Sequence, residues 1–305
     1  MDGRDLDAVV AGCIGIDTNI YLYGHDVDWT VEANFTQNLD YVGQAGGYSS
    51  RLFASLGCRT AFVGAVGEDL LGELVRRELA ADGIETVLFR DPLGTHRSVN
   101  LMYPDGRRKN FYDGKGQMDV QPDLDACRRL LARTRLVHVH LENWCRHLLP
   151  VAREHGVVVS CDLQDVVDLE DTYRRDFVEG ADILFFSCVN FPDPRPALDH
   201  LRRGRPGRTV VGGRGADGCV VADDAGIRFF PPVALPAPVI DTNGAGDALA
   251  VGFLTSLVLD GFPVDAALLR GQTAARHVCT RKATSTRLLT RPELEARCLA
   301  RPPGV

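Results

Sequence analysis

Val239-Ile-Asp-Thr-Asn-Gly-Ala-Gly-Asp247, running straight into Ala248-Leu-Ala-Val-Gly-Phe-Leu-Thr-Ser-Leu-Val-Leu259, is the segment from which the rest of the chain is best understood. Val239 and Ile240 suit the end of a strand, Asp241–Asp247 is a turn of small residues, and the apolar run after it suits a buried helix. A glycine-rich turn at a helix start aims free backbone N–H groups and the positive end of the helix dipole at one point. Asp247, in the first turn, is then a carboxylate beside an anion hole. Such a pair suits phosphoryl transfer, with amides stabilising the moving group and the carboxylate taking a hydroxyl proton. Helix capping is the plainer role that Asp241 and Asp247 would fill.

Working outward, the chain alternates strand and helix signals. Ala8–Ile16 is a continuous apolar run bounded by charge, as a buried strand requires. Residues 46–57 form a glycine turn feeding a helix with Leu52, Phe53 and Leu56 on one face, Thr60–Ala65 is a strand, and Leu70–Asp82 is an amphipathic helix closed by Gly83. Further strands are expected at 136–141, 157–161, 183–186 and 209–211, with helices at 124–132 and 146–155 between them. This order predicts an α/β fold with a mostly parallel sheet covered on both faces. Two polar, alternating segments break the rhythm, 18–45 and 95–113, the second with a hairpin turn at Tyr103–Arg107. Both are expected to leave the main sheet as a small β-sheet lid, so the core comprises 1–17, 46–94 and 114–305. Tyr21, Trp29, Phe111 and Tyr112 are expected to pack as lid core rather than to stack on a ligand.

Composition excludes several functions. The 305 residues are 45% hydrophobic and 25% charged, ordinary for a globular chain, and carry a formal charge of −7. That balance argues against nucleic acid, whose binding requires clustered cations, and the basic stretch Arg202–Arg208 is interrupted by Gly and Pro. Nine cysteines occur without CxxC spacing; Cys13, Cys161, Cys188 and Cys219 sit in apolar runs, and a reducing, cytoplasmic home is expected. The apolar run 248–259 falls short of the roughly 20 residues that span a bilayer. Gly213-Arg-Gly-Ala-Asp-Gly218 matches GxGxxG, but a strand signal (Cys219-Val-Val-Ala) follows it where a dinucleotide fold needs a helix. The three lysines, Lys109, Lys115 and Lys282, do not stand in a P-loop spacing. His138 and His140 share one face of a strand and suit core or strand-end positions better than ligand roles.

Residues 64–86 (GAVGEDLLGELVRRELAADGIET), the Gly46-Gly47 helix before them and 241–247 (DTNGAGD) together resemble the ribokinase-like, pfkB-type family of sugar and nucleoside kinases. The resemblance covers nearly the whole chain in the right order. It implies a three-layer α/β core with a β-lid, and Mg²⁺-assisted transfer of the ATP γ-phosphate to an alcohol of a small polyol. By position it implies that Asp247 is the general base and that Gly244, Ala245 and Gly246 line the anion hole. Asp17 would hold substrate hydroxyls, and Gly46 and Gly47 would let the acceptor approach the backbone. Gly213, Gly215 and Gly218, with Thr242 and Asn243, would lie on the nucleotide side, and Asp241 would neighbour a monovalent cation such as K⁺. Lids of this kind sometimes pair between subunits, which implies a homodimer.

Two departures qualify the resemblance. Arg51 stands where the family usually has Asn; it either pairs away from the site or reshapes the acceptor pocket for an anionic or glycosidic substrate. Ser187 and Asn190 stand at the family's Asn-x-x-Glu positions, so the carboxylate that orients hydrated Mg²⁺ is missing, with Asn190 left as a weaker partner through water. A catalytically weakened binding protein of the same fold is therefore the alternative to an enzyme.

Overall fold

The computed structural model describes residues 3–234 and 237–299, so residues 1–2, 235–236 and 300–305 of the expected core segments lie outside the description. The strands are β1 (Leu6–Ala11), β2 (Gly15–Leu22), β3 (Thr36–Gly43), β4 (Thr60–Val66), β5 (Glu85–Arg90), β6 (His96–Met102), β7 (Arg108–Asp113), β8 (Thr134–Val139), β9 (Val158–Asp165), β10 (Ile183–Ser187), β11 (Thr209–Gly213), β12 (Cys219–Asp223) and β13 (Gly226–Phe230). The helices are α1 (Gln44–Ser55), α2 (Leu70–Ala81), α3 (Leu124–Leu131), α4 (Leu148–Glu154), α5 (Arg175–Gly180), α6 (Arg195–Arg202), α7 (Ala245–Leu254), α8 (Val264–Val278) and α9 (Arg291–Leu299).

Nine strands form the main sheet in the order β13-β12-β11-β10-β9-β8-β1-β4-β5. Pairing is parallel from β5 to β11, and β12 and β13 add an antiparallel edge. Successive residues of a strand point to opposite faces, and the core divides accordingly. Val9 and Ala11 of β1 join Ala61 and Val63 of β4 under α3 to α6, while Ala8, Val10 and Phe62 face α1, α2, α7, α8 and α9. Three layers result, as expected. Local chemistry sets the helix limits: Asp69 accepts from Gly72 N at 2.8 Å to start α2, and Gly83, at φ +70°, lies just past its end.

A separate sheet, β3-β2-β6-β7, carries the two polar segments. The expected hairpin closes with Tyr103 N donating to Arg107 O at 3.0 Å. Its aromatics are not all lid core. Trp29 is 87% and Phe111 55% exposed, and Tyr112 is also exposed, whereas Tyr21 is buried with its hydroxyl on Asp241. Nor is Val239-Ile240 a strand: both residues are exposed, and Ile240 N donates to Cys279 O at 2.7 Å, outside any sheet. The apolar run beyond Asp247 forms α7 and then one π-helical turn, Thr255–Leu259. No helix among the described residues is long and apolar enough to cross a membrane.

The strand order reverses at β1, which is flanked by β4 on one side and β8 on the other. In open α/β sheets, ligands bind outside the carboxyl ends of strands at such a switch point. There His140 N, just beyond β8, donates to Ala11 O at 2.9 Å, and Gly12 N donates to Val63 O at 3.1 Å.

Candidate active site

Gly244 begins α7 in the left-handed conformation (φ +77°), where a Cβ would also stand 3.1 Å from the Tyr48 ring. Glycine is thus required for the chain to enter the helix against Tyr48. The next glycine, Gly246, has open space where its side chain would be. Asp247 follows, with Oδ1 shielded from solvent and without a hydrogen-bond partner. Burial, and then the Asp162 charge beside it, hold its carboxyl well above the usual range, while Arg108 opposes that shift.

Asp17 lies on β2 with its residue 2% exposed. Its Oδ2 accepts from Tyr48 Oη at 2.9 Å, Gln44 N at 3.2 Å and Asn243 Nδ2 at 3.2 Å. Oδ1 accepts nothing among the described residues and remains for a ligand hydroxyl. Burial raises the Asp17 pKa and these bonds counter it. A Cβ at Gly43 would stand 2.5 Å from Asp17 Oδ2, so glycine there makes room for the carboxylate. Asn243 Nδ2 also reaches Tyr41 Oη at 3.2 Å and Tyr48 Oη at 2.9 Å, and its Oδ1 accepts from Arg108 of β7. The α7 entry, β2, α1 and the lid are thereby joined.

Several expected site residues are engaged otherwise. Arg51 donates to Asp82 Oδ2 at 2.5 Å and to Glu78 Oε2 at 3.2 Å, both around the end of α2, which matches pairing rather than a reshaped pocket, although the guanidinium is buried. Beside Gly46, the space a Cβ would need is filled by Cys13 O at 2.5 Å, and Gly47 N donates to the same carbonyl at 3.2 Å. Those glycines bring α1 against the backbone after β1.

Asp241 is fully buried, with Oδ2 taking Asn19 Nδ2 at 2.9 Å and Tyr21 Oη at 2.5 Å, and Oδ1 taking Asn243 N at 2.8 Å. Two donors on Oδ2 and one on Oδ1 tie Asp241 to β2 and to the α7 entry. Thr242 is exposed, and Asn243 belongs to the Asp17 network. Gly213 is nearly open and Gly215 (φ +56°) is unobstructed, but Gly218 (φ +88°) is closed in by Phe230 O, 2.2 Å from its Cβ position, and serves the β11–β12 turn. Ser187 Oγ accepts from Val189 N at 3.3 Å within its own loop, and the exposed Asn190 donates across to Val166 O, just past β9, at 3.0 Å.

The structure adds residues that sequence reasoning missed. Arg108 lies two and four positions from Asn110 and Tyr112, which turn to Asn100 and His96 of β6, so strand alternation could have pointed to one shared face. Glu142, beyond β8, is buried, and burial pushes its carboxyl up to about 7. Asp162 of β9 is likewise pushed up to about 6, first by burial, and stands near Asp247. His138 fulfils the core expectation, with Nδ1 3.0 Å from Ser160 Oγ, but His140 lies with Asp162 and Asp247.

Comparison with known proteins agrees with this fold. Residues 8–291 match the pfkB family of carbohydrate kinases. The chain is 31% identical over 294 residues to the Acarbose 7(IV)-phosphotransferase of an Actinoplanes species, covering 94% of this chain and 97% of that protein. Identity to the 5-dehydro-2-deoxygluconokinase of Geobacillus kaustophilus is 27% over 320 residues, covering 96% and 93%. Among solved structures, a microbiome-derived acarbose kinase superposes with a TM-score of 0.88 at 30% identity, covering 96% of this chain and 99% of that one. The ribokinase of Giardia lamblia, at 16% identity and a TM-score of 0.82 over 95% and 99%, shares the fold.

Proposed function

The chain belongs to the pfkB family of carbohydrate kinases and is a sugar phosphotransferase, and from that premise we propose that it transfers the γ-phosphoryl of MgATP to a hydroxyl of a glycosylated polyol, acarbose or a related compound, with Asp247 as base. The observation that carries the mechanism is the Asp247 carboxylate, its Oδ1 unpartnered, one residue past a glycine with open space at the start of α7. Amides of the Gly244–Gly246 turn would stabilise the transferring phosphoryl, as donors fixed before reaction cost no reorganisation. Asp17 Oδ1 would orient the acceptor, and Arg108 would bring positive charge from the lid towards both carboxylates. The open Gly213 and Gly215 suit the nucleotide side.

The acceptor class rests on two relatives with acarbose in their names, each matching nearly the full chain at 30% identity or more. Closing the small sheet over the acceptor would exclude water and limit wasteful ATP hydrolysis. Exposed Tyr23, Trp29 and Phe35 on the β2–β3 connection support pairing of two copies through the lid, which sedimentation would check. The test of function is ADP release with MgATP and a panel of free sugars, cyclitols, nucleosides and glycosylated polyols including acarbose. The highest kcat/KM is expected with a glycosylated acceptor. Ligand-induced melting shifts without ADP release from any acceptor would favour a binding protein instead.

A further inference from the structure

The carboxyl ends of β8 and β9 and the first turn of α7 bring together three side chains far apart in sequence. One ring nitrogen of His140, one oxygen of Asp162 and one oxygen of Asp247 all lie within 4.8 Å of one another. His140 is fully buried, and neither of its ring nitrogens has a hydrogen-bond partner. Asp247 Oδ1 is in the same condition. Buried polar atoms are almost always paired, and each one left alone costs roughly 1–3 kcal/mol. Three such atoms in two adjoining side chains call for a common partner.

A compact cation would satisfy all three. Two charged carboxylates side by side repel each other, and a cation between them relieves that repulsion without protonating either. Arg108 acts on Asp247 but is bound to Asn243, and Asp162 uses its Oδ1 on Gln164 N at 2.8 Å, leaving the other oxygen. The His138 ring packs edge-on against His140, 4.7 Å between centroids, and fixes its plane. A Cβ at Gly12 would overlap the His140 ring at 2.7 Å, so glycine there is what admits the imidazole.

We propose that His140, Asp162 and Asp247 form a site for one divalent transition cation, held by the protein itself and distinct from the Mg²⁺ that arrives with ATP. One imidazole and two carboxylates suit Mn²⁺ or Zn²⁺, whereas Mg²⁺ and Ca²⁺ favour all-oxygen sets. The ion takes one oxygen of Asp247 and leaves the other for the acceptor hydroxyl, so the site is compatible with the base role. Ser187, bonded to Val189 N, and Asn190, bonded to Val166 O, take no part in it.

The test uses Mn²⁺ and the full chain without nucleotide, with free aquo-ion followed by electron paramagnetic resonance. One Mn²⁺ per chain is expected, with a ¹⁴N coupling in the pulsed spectrum from His140. Asp162→Asn and His140→Gln should each weaken binding at least ~10-fold, the least that loss of a supporting group costs a metal site, and His140→Gln should abolish the nitrogen coupling. Wild-type protein that leaves Mn²⁺ free, binds it without nitrogen coupling, or binds it no better than folded Asp162→Asn overturns the proposal. If His140→Gln does not fold, the wild-type coupling and Asp162→Asn still decide. Ion binding and ADP release are measured separately, so failure of one reading leaves the other standing.

Discussion

Asn243 Nδ2 donates to Asp17 Oδ2 at 3.2 Å across 226 positions of sequence, and this bond ties the entry of α7 to the first strand of the small sheet. The residue that would orient the acceptor is thus aligned by the turn that would bind the phosphoryl group. A hydrogen bond to a charged group is worth about 1.5–3 kcal/mol. Asn243→Ala is therefore expected to lower kcat/KM for the acceptor by roughly 10- to 150-fold, leaving KM for ATP near wild type. Steady-state kinetics with each substrate varied checks it; a change confined to ATP would move Asn243 back to the nucleotide side.

Gly246 separates stability from catalysis. Nothing lies within 4 Å of where its Cβ would be, and alanine favours a helix by about 1 kcal/mol over glycine. Gly246→Ala should keep or raise the melting temperature while filling the space for the phosphoryl group, lowering kcat at least ~10-fold, the scale of one lost transition-state donor or less. Unchanged kcat would show that the phosphoryl does not pass over this residue.

Arg51 tests the opposite pattern. Its partners Glu78 and Asp82 are partly exposed, so the pairing is worth less than a fully buried one. Arg51→Met is expected to cost about 1–2 kcal/mol and lower the melting temperature by a few degrees, with KM for the acceptor unchanged. A large change in that KM at constant melting temperature would restore Arg51 to the pocket.

The acid side of stability should reflect His277 of α8, fully buried and unpartnered at both ring nitrogens. Burial, and then the charge of Arg281, push its pKa down to about 4. The unfolded imidazole titrates near 6.5. Between those values the unfolded chain binds the proton and the folded chain does not, so stability is present above about 6.5 and is lost as pH falls towards 4. Urea midpoints at pH 7 and pH 5 should fall less in His277→Gln than in wild type. His138 and His140, also buried with lowered pKa, keep part of the slope. Equal slopes would remove His277 from this role.

The layers were legible because apolar runs, glycine stops and helix caps are local signals: β1, α2 and the Tyr103 hairpin are each set by their own neighbours. The Asp247 turn was legible for the same reason. Val239-Ile240 looked like a strand because two apolar residues before a turn carry no information on whether a sheet edge awaits them. Asp162 and His140 sit at strand ends like many acids and histidines, and only the β9-β8-β1 order and the docking of α7 bring them to Asp247. Arg51 was ambiguous because its pairing depends on the approach of α1 to the end of α2, and Asp241 because its donors come from β2, over 200 residues earlier.

The central claim is that Asp247 takes the acceptor proton, and Asp247→Asn tests it most directly. The amide keeps the shape of the side chain and cannot accept a proton. With MgATP and the best acceptor, initial rates of ADP release should give a kcat lower by ~10²–10⁴-fold, the usual worth of a positioned general base, at nearly unchanged ATP affinity. Turnover close to wild type would contradict the account and leave Asp247 as a helix cap.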